Sequence, residues 1–131
     1  MNTQINAVVI GVKDIKRAKE FYAQGLGCQV AQDTPAFVSF DMGGGSSSLA
    51  LYTWDALAKD AGVAADGSGF RGVTLNHFVE STQKVDEVLA KAKDAGGEVV
   101  RPGQQAQWGG YFGYFSDPDG YLWKVVASSE R

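Results

Sequence analysis

The feature that most constrains the fold is an order of elements that occurs twice. Residues 5–12 (INAVVIGV) are apolar and rich in β-branched side chains, which suits a strand. Asp14 stands where a helix N-cap belongs. Ile15, Ala18, Phe21 and Tyr22 follow at helical spacing, and Gly25-Leu26-Gly27 ends the helix. Short strands are expected at 28–32, 37–42 and 48–52, separated by Thr34-Pro35 and by the loop 43–47. Residues 73–79 (VTLNHFV) begin the order again. Ser81 caps a helix whose apolar face is Val85, Val88, Leu89 and Ala92, and Ala95-Gly96-Gly97 closes it. Strands follow at 98–101, 111–116 and 122–126, with a turn at Pro102-Gly103. Each half therefore reads as βαβββ. Repeats of this kind are units that pair because neither buries its apolar face alone.

The fold class expected is α+β: two tandem βαβββ modules forming a partly closed, barrel-like curved sheet, helices outside. Module one spans residues 1–61 and module two 73–131. A short helix at 54–61 (WDALAKDA) and a Gly, Ala and Asp-rich linker at 62–72 join them. The concave side of such a sheet is a trough of the sort that holds small ligands.

Composition narrows the partners. A net charge of −3 without any basic stripe argues against nucleic acid. No apolar run approaches the ~20 residues that span a membrane, and the first residues lack a signal-peptide pattern. A lone cysteine, Cys28, excludes an internal disulfide and suits a reducing, cytoplasmic setting. It reads as a small core residue.

The stretch 108–126 (WGGYFGYFSDPDGYLWKVV) pins the last two strands. Asp117-Pro118-Asp119-Gly120 has strong turn chemistry, and a one-residue slip would exchange the faces of the strand that leaves it. Leu122, Lys124 and Val126 hence share one face. Alternation sorts the rest of the trough lining: Ala7, Val9 and Gly11 from the first strand, Thr74, Asn76 and Phe78 from its repeat, and Ser48, Ala50 and Tyr52 from the end of module one. Trp54, Trp108, Tyr111 and Tyr114 are expected at its rim. His77 falls on the other face, as a buried and hydrogen-bonded histidine beneath the helix. Lys124 either faces a ligand or pairs with an acid such as Asp41.

The chain resembles the vicinal oxygen chelate superfamily, which includes glyoxalases, extradiol dioxygenases and bleomycin-binding proteins. GVKDIKRAKEFYAQGLG, AKAKDAGGEVVRP and WGGYFGYFSDPDGYLW carry the likeness, the last resembling the closing motif of small glyoxalase-like proteins. The resemblance implies a dimer and a divalent metal held by His, Gln or Glu from four strands. Matched motif by motif, those positions are Ala7, a site near Ala50, Thr74 and Lys124. Two carry no lone pair, a threonine hydroxyl is a poor ligand, and a lysine ammonium repels a cation.

No metal or other cofactor is therefore expected, and no catalytic residue is assigned. The expected function is metal-free binding of an aromatic or anionic small molecule by a homodimer. Lys124, Asn76, Thr74, Phe78, Tyr52, Trp54, Trp108 and Tyr111 are the candidate contacts. The alternatives are a metal-dependent lyase or dioxygenase with a non-standard ligand set, an enzyme using Lys124 alone, or a protein-interaction module whose exposed patch lies within 54–71.

Overall fold

The computed structural model describes residues 5–61, 63–67, 73–107 and 109–127, in two compact units, Met1–Gly67 and Ser68–Arg131. In the first unit β1 (Ala7–Val12) leads into α1 (Ile15–Glu20), which runs on as a π-helical turn over Phe21–Gly25. Then come β2 (Gln29–Asp33), β3 (Phe37–Asp41), β4 (Ser48–Thr53) and α2 (Trp54–Ala61). The sheet order is β1-β4-β3-β2, with β1 and β4 parallel and the other pairs antiparallel. Parallel neighbours need a crossover. Here α1 and the hairpin strands supply it.

Asp14 caps α1 as its sequence position predicts, its carboxylate accepting from the Arg17 amide at 3.1 Å. Ala18, Phe21 and Tyr22 are buried, as are Val12, Val38, Phe40, Leu49 and Leu51 of the sheet. The Tyr22 and Phe40 rings lie 5.8 Å apart, which places the unit's core between helix and sheet. Burying each such side chain contributes about 1.5–3 kcal/mol. Gly11, on the opposite sheet face, leaves room for α2: a Cβ there would stand 3.4 Å from Trp54 Cα. Cys28 follows the π-helical turn as a half-buried free thiol, and burial raises its pKa.

The second unit repeats the plan. It comprises β5 (Thr74–Val79), α3 (Thr82–Asp94), β6 (Glu98–Gln105), β7 (Tyr111–Ser116) and β8 (Leu122–Ala127). Sheet order is β5-β8-β7-β6, again with the outer pair, β5 and β8, parallel. The Ser81 hydroxyl accepts from the Lys84 amide at 3.2 Å. Val85, Leu89 and Ala92 are buried, and α3 packs over β6, β7 and β8. The β7–β8 turn is held by Asp117, 3% exposed, whose carboxylate accepts from the Asp119 and Tyr121 amides, each at 2.9 Å. Gly120 there has φ of +92°, a conformation that side chains disfavour.

Two expectations are corrected. Pro102-Gly103 is not a turn, because β6 runs through it as far as Gln105. The register shifts between Val99 and Arg101 and again between Arg101 and Gln104. An edge strand tolerates a proline at a bulge, since no ladder bond is lost there. His77 does lie on the α3 side, opposite Val125, but it is exposed and has no hydrogen bond among the described residues. The cause is position, as β5 is an edge strand. Partial burial still lowers the imidazole pKa below its ordinary value.

Candidate binding face

Cross-strand pairing assigns the faces of the second sheet. Residues directly opposite share a face. Val125, Gly113 and His77 therefore lie towards α3, together with the stacked Phe115 and Trp123 rings. The other face carries Thr74, Asn76 and Phe78 from β5, and Leu122, Lys124 and Val126 from β8. Phe112, Tyr114 and Ser116 of β7 complete it. The turn fixes this arrangement, since Ser116 opposite Leu122 places Tyr114 opposite Lys124.

Lys124 is half-buried at the centre of this face, open in that α3 does not cover it, while Ser116 and Val126 on it are buried. Its ammonium sits 5.0 Å from the Phe112 ring centroid and 5.9 Å from that of Tyr114. The two rings meet edge to face at 6.1 Å. Such a contact stabilises a cation by about 0.5–1 kcal/mol when exposed, and by ~2 kcal/mol when desolvated. No carboxylate pairs with Lys124 among the described residues. Asp41, the acid considered for it, accepts from the Gly43 amide at 2.9 Å. Asn76 is the cross-strand neighbour of Lys124, and its side-chain oxygen accepts from the Thr74 hydroxyl at 3.3 Å. That bond occupies the amide oxygen and leaves the NH2 group of Asn76 as a donor without a partner among the described residues. Phe78, 76% exposed, continues the same face as a bare aromatic surface.

The remaining candidates separate. Tyr52 lies on the α2 side of the first sheet, opposite Gly11, its ring edge-on to Phe37 at 5.8 Å. Trp54 starts α2, where its indole N–H donates to the Ala65 carbonyl at 2.7 Å and the Lys13 ammonium stands 4.5 Å over its ring. Those contacts make it a brace within the first unit. Trp108 lies outside the described residues. Tyr111 is a correction: it sits on the α3 side, opposite Ala127, and its hydroxyl donates to Asp86 at 2.9 Å. Burial, the hydrogen bond to Asp86 and its charge all raise the Tyr111 pKa. Tyr111 and Tyr114 are three residues apart on one strand, so the two could never have shared a face. Phe112 and Arg101 were missed. Alternation from Lys124 across the turn would have found Phe112, whereas Arg101 reaches the open face only through the β6 bulge.

A separate cleft of about 340 Å3 lies in the first unit, with Val38, Ile15 and Pro35 among its lining. Lys19 and Asp33, also in its wall, pair with each other. Its ionic lining is thus partly self-satisfied.

Residues 4–125 match the family described as the Glyoxalase/Bleomycin resistance protein/Dioxygenase superfamily. The chain belongs to that superfamily. A lactoylglutathione lyase of Arabidopsis thaliana, GLX1, is 30% identical over 95% of this chain, and a putative one of Brassica oleracea is 31% identical over 91%. The chain spans less than half of either relative, 44% and 42%. Among solved structures, a glyoxalase-related enzyme from Fulvimarina pelagi is 29% identical, with a TM-score of 0.86 over 96% of this chain and 88% of that one. A superfamily member from Burkholderia phytofirmans shares the fold at a TM-score of 0.85 and 22% identity, over 96% of this chain and 99% of its own.

The superfamily implies a metal, and the residues present do not fit one. Matched by motif, its four positions are Ala7, beside Ser48; a site near Ala50, which lies beside Val9; Thr74, beside Leu122; and Lys124, beside Asn76. Neither alanine offers a donor atom, and the lysine brings a positive charge. Among the described residues, no group of three or more His, Cys, Asp or Glu side chains is arranged to hold a metal ion. Nor is any described helix long and apolar enough to cross a membrane.

Proposed function

We propose that this chain is a metal-free small-molecule binding protein of its superfamily, one that holds a planar, anionic ligand on the open face of the second sheet. The observation that carries the reading is Lys124. A half-buried cation lies among aromatic rings, on the strand position where relatives are expected to place an acidic metal ligand, and no acid neutralises it among the described residues. A carboxylate there would accept charge-assisted bonds from the Lys124 ammonium and the Asn76 amide, each worth about 1.5–3 kcal/mol. Phe112, Tyr114 and Phe78 would cover an aromatic body. Thr74 fixes the amide that reads the second oxygen. The protein is assigned to the cytoplasm, which its lone cysteine suits, and to work as a homodimer, as the resemblance implies.

Isothermal titration with benzoate, salicylate and larger aromatic acids tests the reading. Binding in the micromolar to millimolar range is expected, corresponding to about 4–8 kcal/mol. A Lys124→Gln variant should lose at least about tenfold in affinity. No binding by any aromatic acid, or unchanged affinity in that variant, would refute the assignment.

The names of the two plant relatives favour a second reading, metal-dependent lyase chemistry supported by donors outside the four usual positions. Turnover of a glutathione-derived hemithioacetal that depends on added divalent metal would establish it in place of the first.

A further inference from the structure

The β6 bulge does something the hairpin alone does not. Val99 opposes Phe115 on the α3 side, while Arg101, two residues on, opposes Tyr114 on the open side. In a regular strand, residues two apart share a face. The irregularity at Val100 therefore turns Arg101 away from α3 and onto the binding face. A second irregularity brings Gln104 opposite Phe112, on that same face.

The bulge is built in from both sides. A Cβ on Gly103 would collide with the Asp86 carboxylate and the Tyr111 hydroxyl, so the hydrogen-bonded Asp86–Tyr111 pair closes over it. A Cβ on Gly113 would stand 3.0 Å from the Arg101 carbonyl oxygen and 2.6 Å from Leu89 Cδ1. Two glycines and one tyrosine–aspartate contact thus fix where Arg101 emerges.

The Arg101 guanidinium ends 5.4 Å from the Phe112 ring centroid, and the Lys124 ammonium lies 5.0 Å from that same centroid. Neither cation forms an ion pair among the described residues. Glu98 lies on the same face, opposite Ser116, and is paired with neither. Two positive charges gathered on one ring repel each other, and among the described residues no acid neutralises either. An anion that bridges them would relieve that repulsion.

We propose that Arg101 is a specificity-determining residue of this site and that the ligand is a planar dianion, an aromatic dicarboxylate being the class that fits. One carboxylate lies against Lys124 and Asn76. The second is read by the planar guanidinium of Arg101, whose paired N–H groups match a carboxylate edge. The proposal rests on the binding face assigned above and adds to it the second charge.

Titration of the purified chain with benzoate, isophthalate and 3-carbamoylbenzoate tests it. The last is a monoanion of nearly the same shape as isophthalate. Isophthalate should bind about tenfold or more tightly than either monoanion, the effect of one further charge-assisted contact. In Arg101→Gln that ratio should fall to within about threefold, and Arg101→Lys should restore part of it. A ratio of affinities does not depend on the fraction of folded protein, so a damaged preparation cannot mimic the result. If benzoate binds while isophthalate gains nothing, the dianion is wrong; if Arg101→Gln leaves the ratio intact, Arg101 does not read the second charge; in either case the proposal falls and the binding face stands. If no aromatic acid binds, both fall.

Discussion

Gly113→Ala tests the packing that positions the binding face. Alanine in a β-strand is ordinarily preferred over glycine by roughly 0.5–1 kcal/mol, because glycine loses more freedom on folding. Gly113 should reverse that sign. Its Cβ would stand 2.6 Å from Leu89 Cδ1 and 3.0 Å from the Arg101 carbonyl oxygen. Leu89 is 4% exposed, so its side chain has little room to turn aside, and the carbonyl is backbone held in the bulge. Overpacking of this degree costs about 1–3 kcal/mol, so the melting temperature should fall by several degrees. Urea unfolding followed by far-UV circular dichroism reads it as a lower midpoint at unchanged slope. In a Leu89→Ala background the same substitution should cost at least about 1 kcal/mol less, since the cavity receives the new methyl. Stability equal to or above the parent, or strict additivity of the two changes, would refute the reasoning. The single variant should also blunt the preference for isophthalate, because displacing the Arg101 carbonyl displaces its side chain.

Asp117→Ala should lower stability by about 2–3 kcal/mol in urea unfolding, since it strands the Asp119 and Tyr121 amides at a buried carboxylate; Asp117→Asn should recover part of the loss. His77 gives a pH dependence. Its folded pKa is lowered by burial, so the unfolded chain takes up the proton first. The associated stability is present above the unfolded pKa of about 6.5 and is lost as pH falls through that value towards the folded one. His77→Gln should therefore flatten the fall in melting temperature between pH 8 and pH 5, and an unchanged profile would place the titration elsewhere.

Most of the secondary structure was legible because local chemistry and global packing agree in this chain. Asp14 and Ser81 cap the helices their positions predict, and the Asp117–Gly120 turn sets the β7–β8 register. Lys124, Asn76, Thr74 and Phe78 follow from alternation once that register is fixed. What escaped reading depended on contacts distant in sequence. Pro102-Gly103 carries turn chemistry, yet it sits in a strand because Asp86 and Tyr111 close over it from α3 and β7. Arg101 is an ordinary strand residue until the bulge rotates it. His77 has the periodicity of a core residue, but its strand lies at the sheet's edge, which one module's pattern does not disclose. Tyr111 was placed with Tyr114 by composition alone, where parity would have divided them.

The central claim is that Lys124 and its neighbours bind an anion where relatives are expected to bind a metal. Protein purified without chelator from metal-supplemented medium should carry only substoichiometric zinc, nickel, iron or manganese by elemental analysis, and its affinity for isophthalate should be the same with and without EDTA. One equivalent of metal per chain, together with ligand binding that EDTA abolishes, would contradict the account.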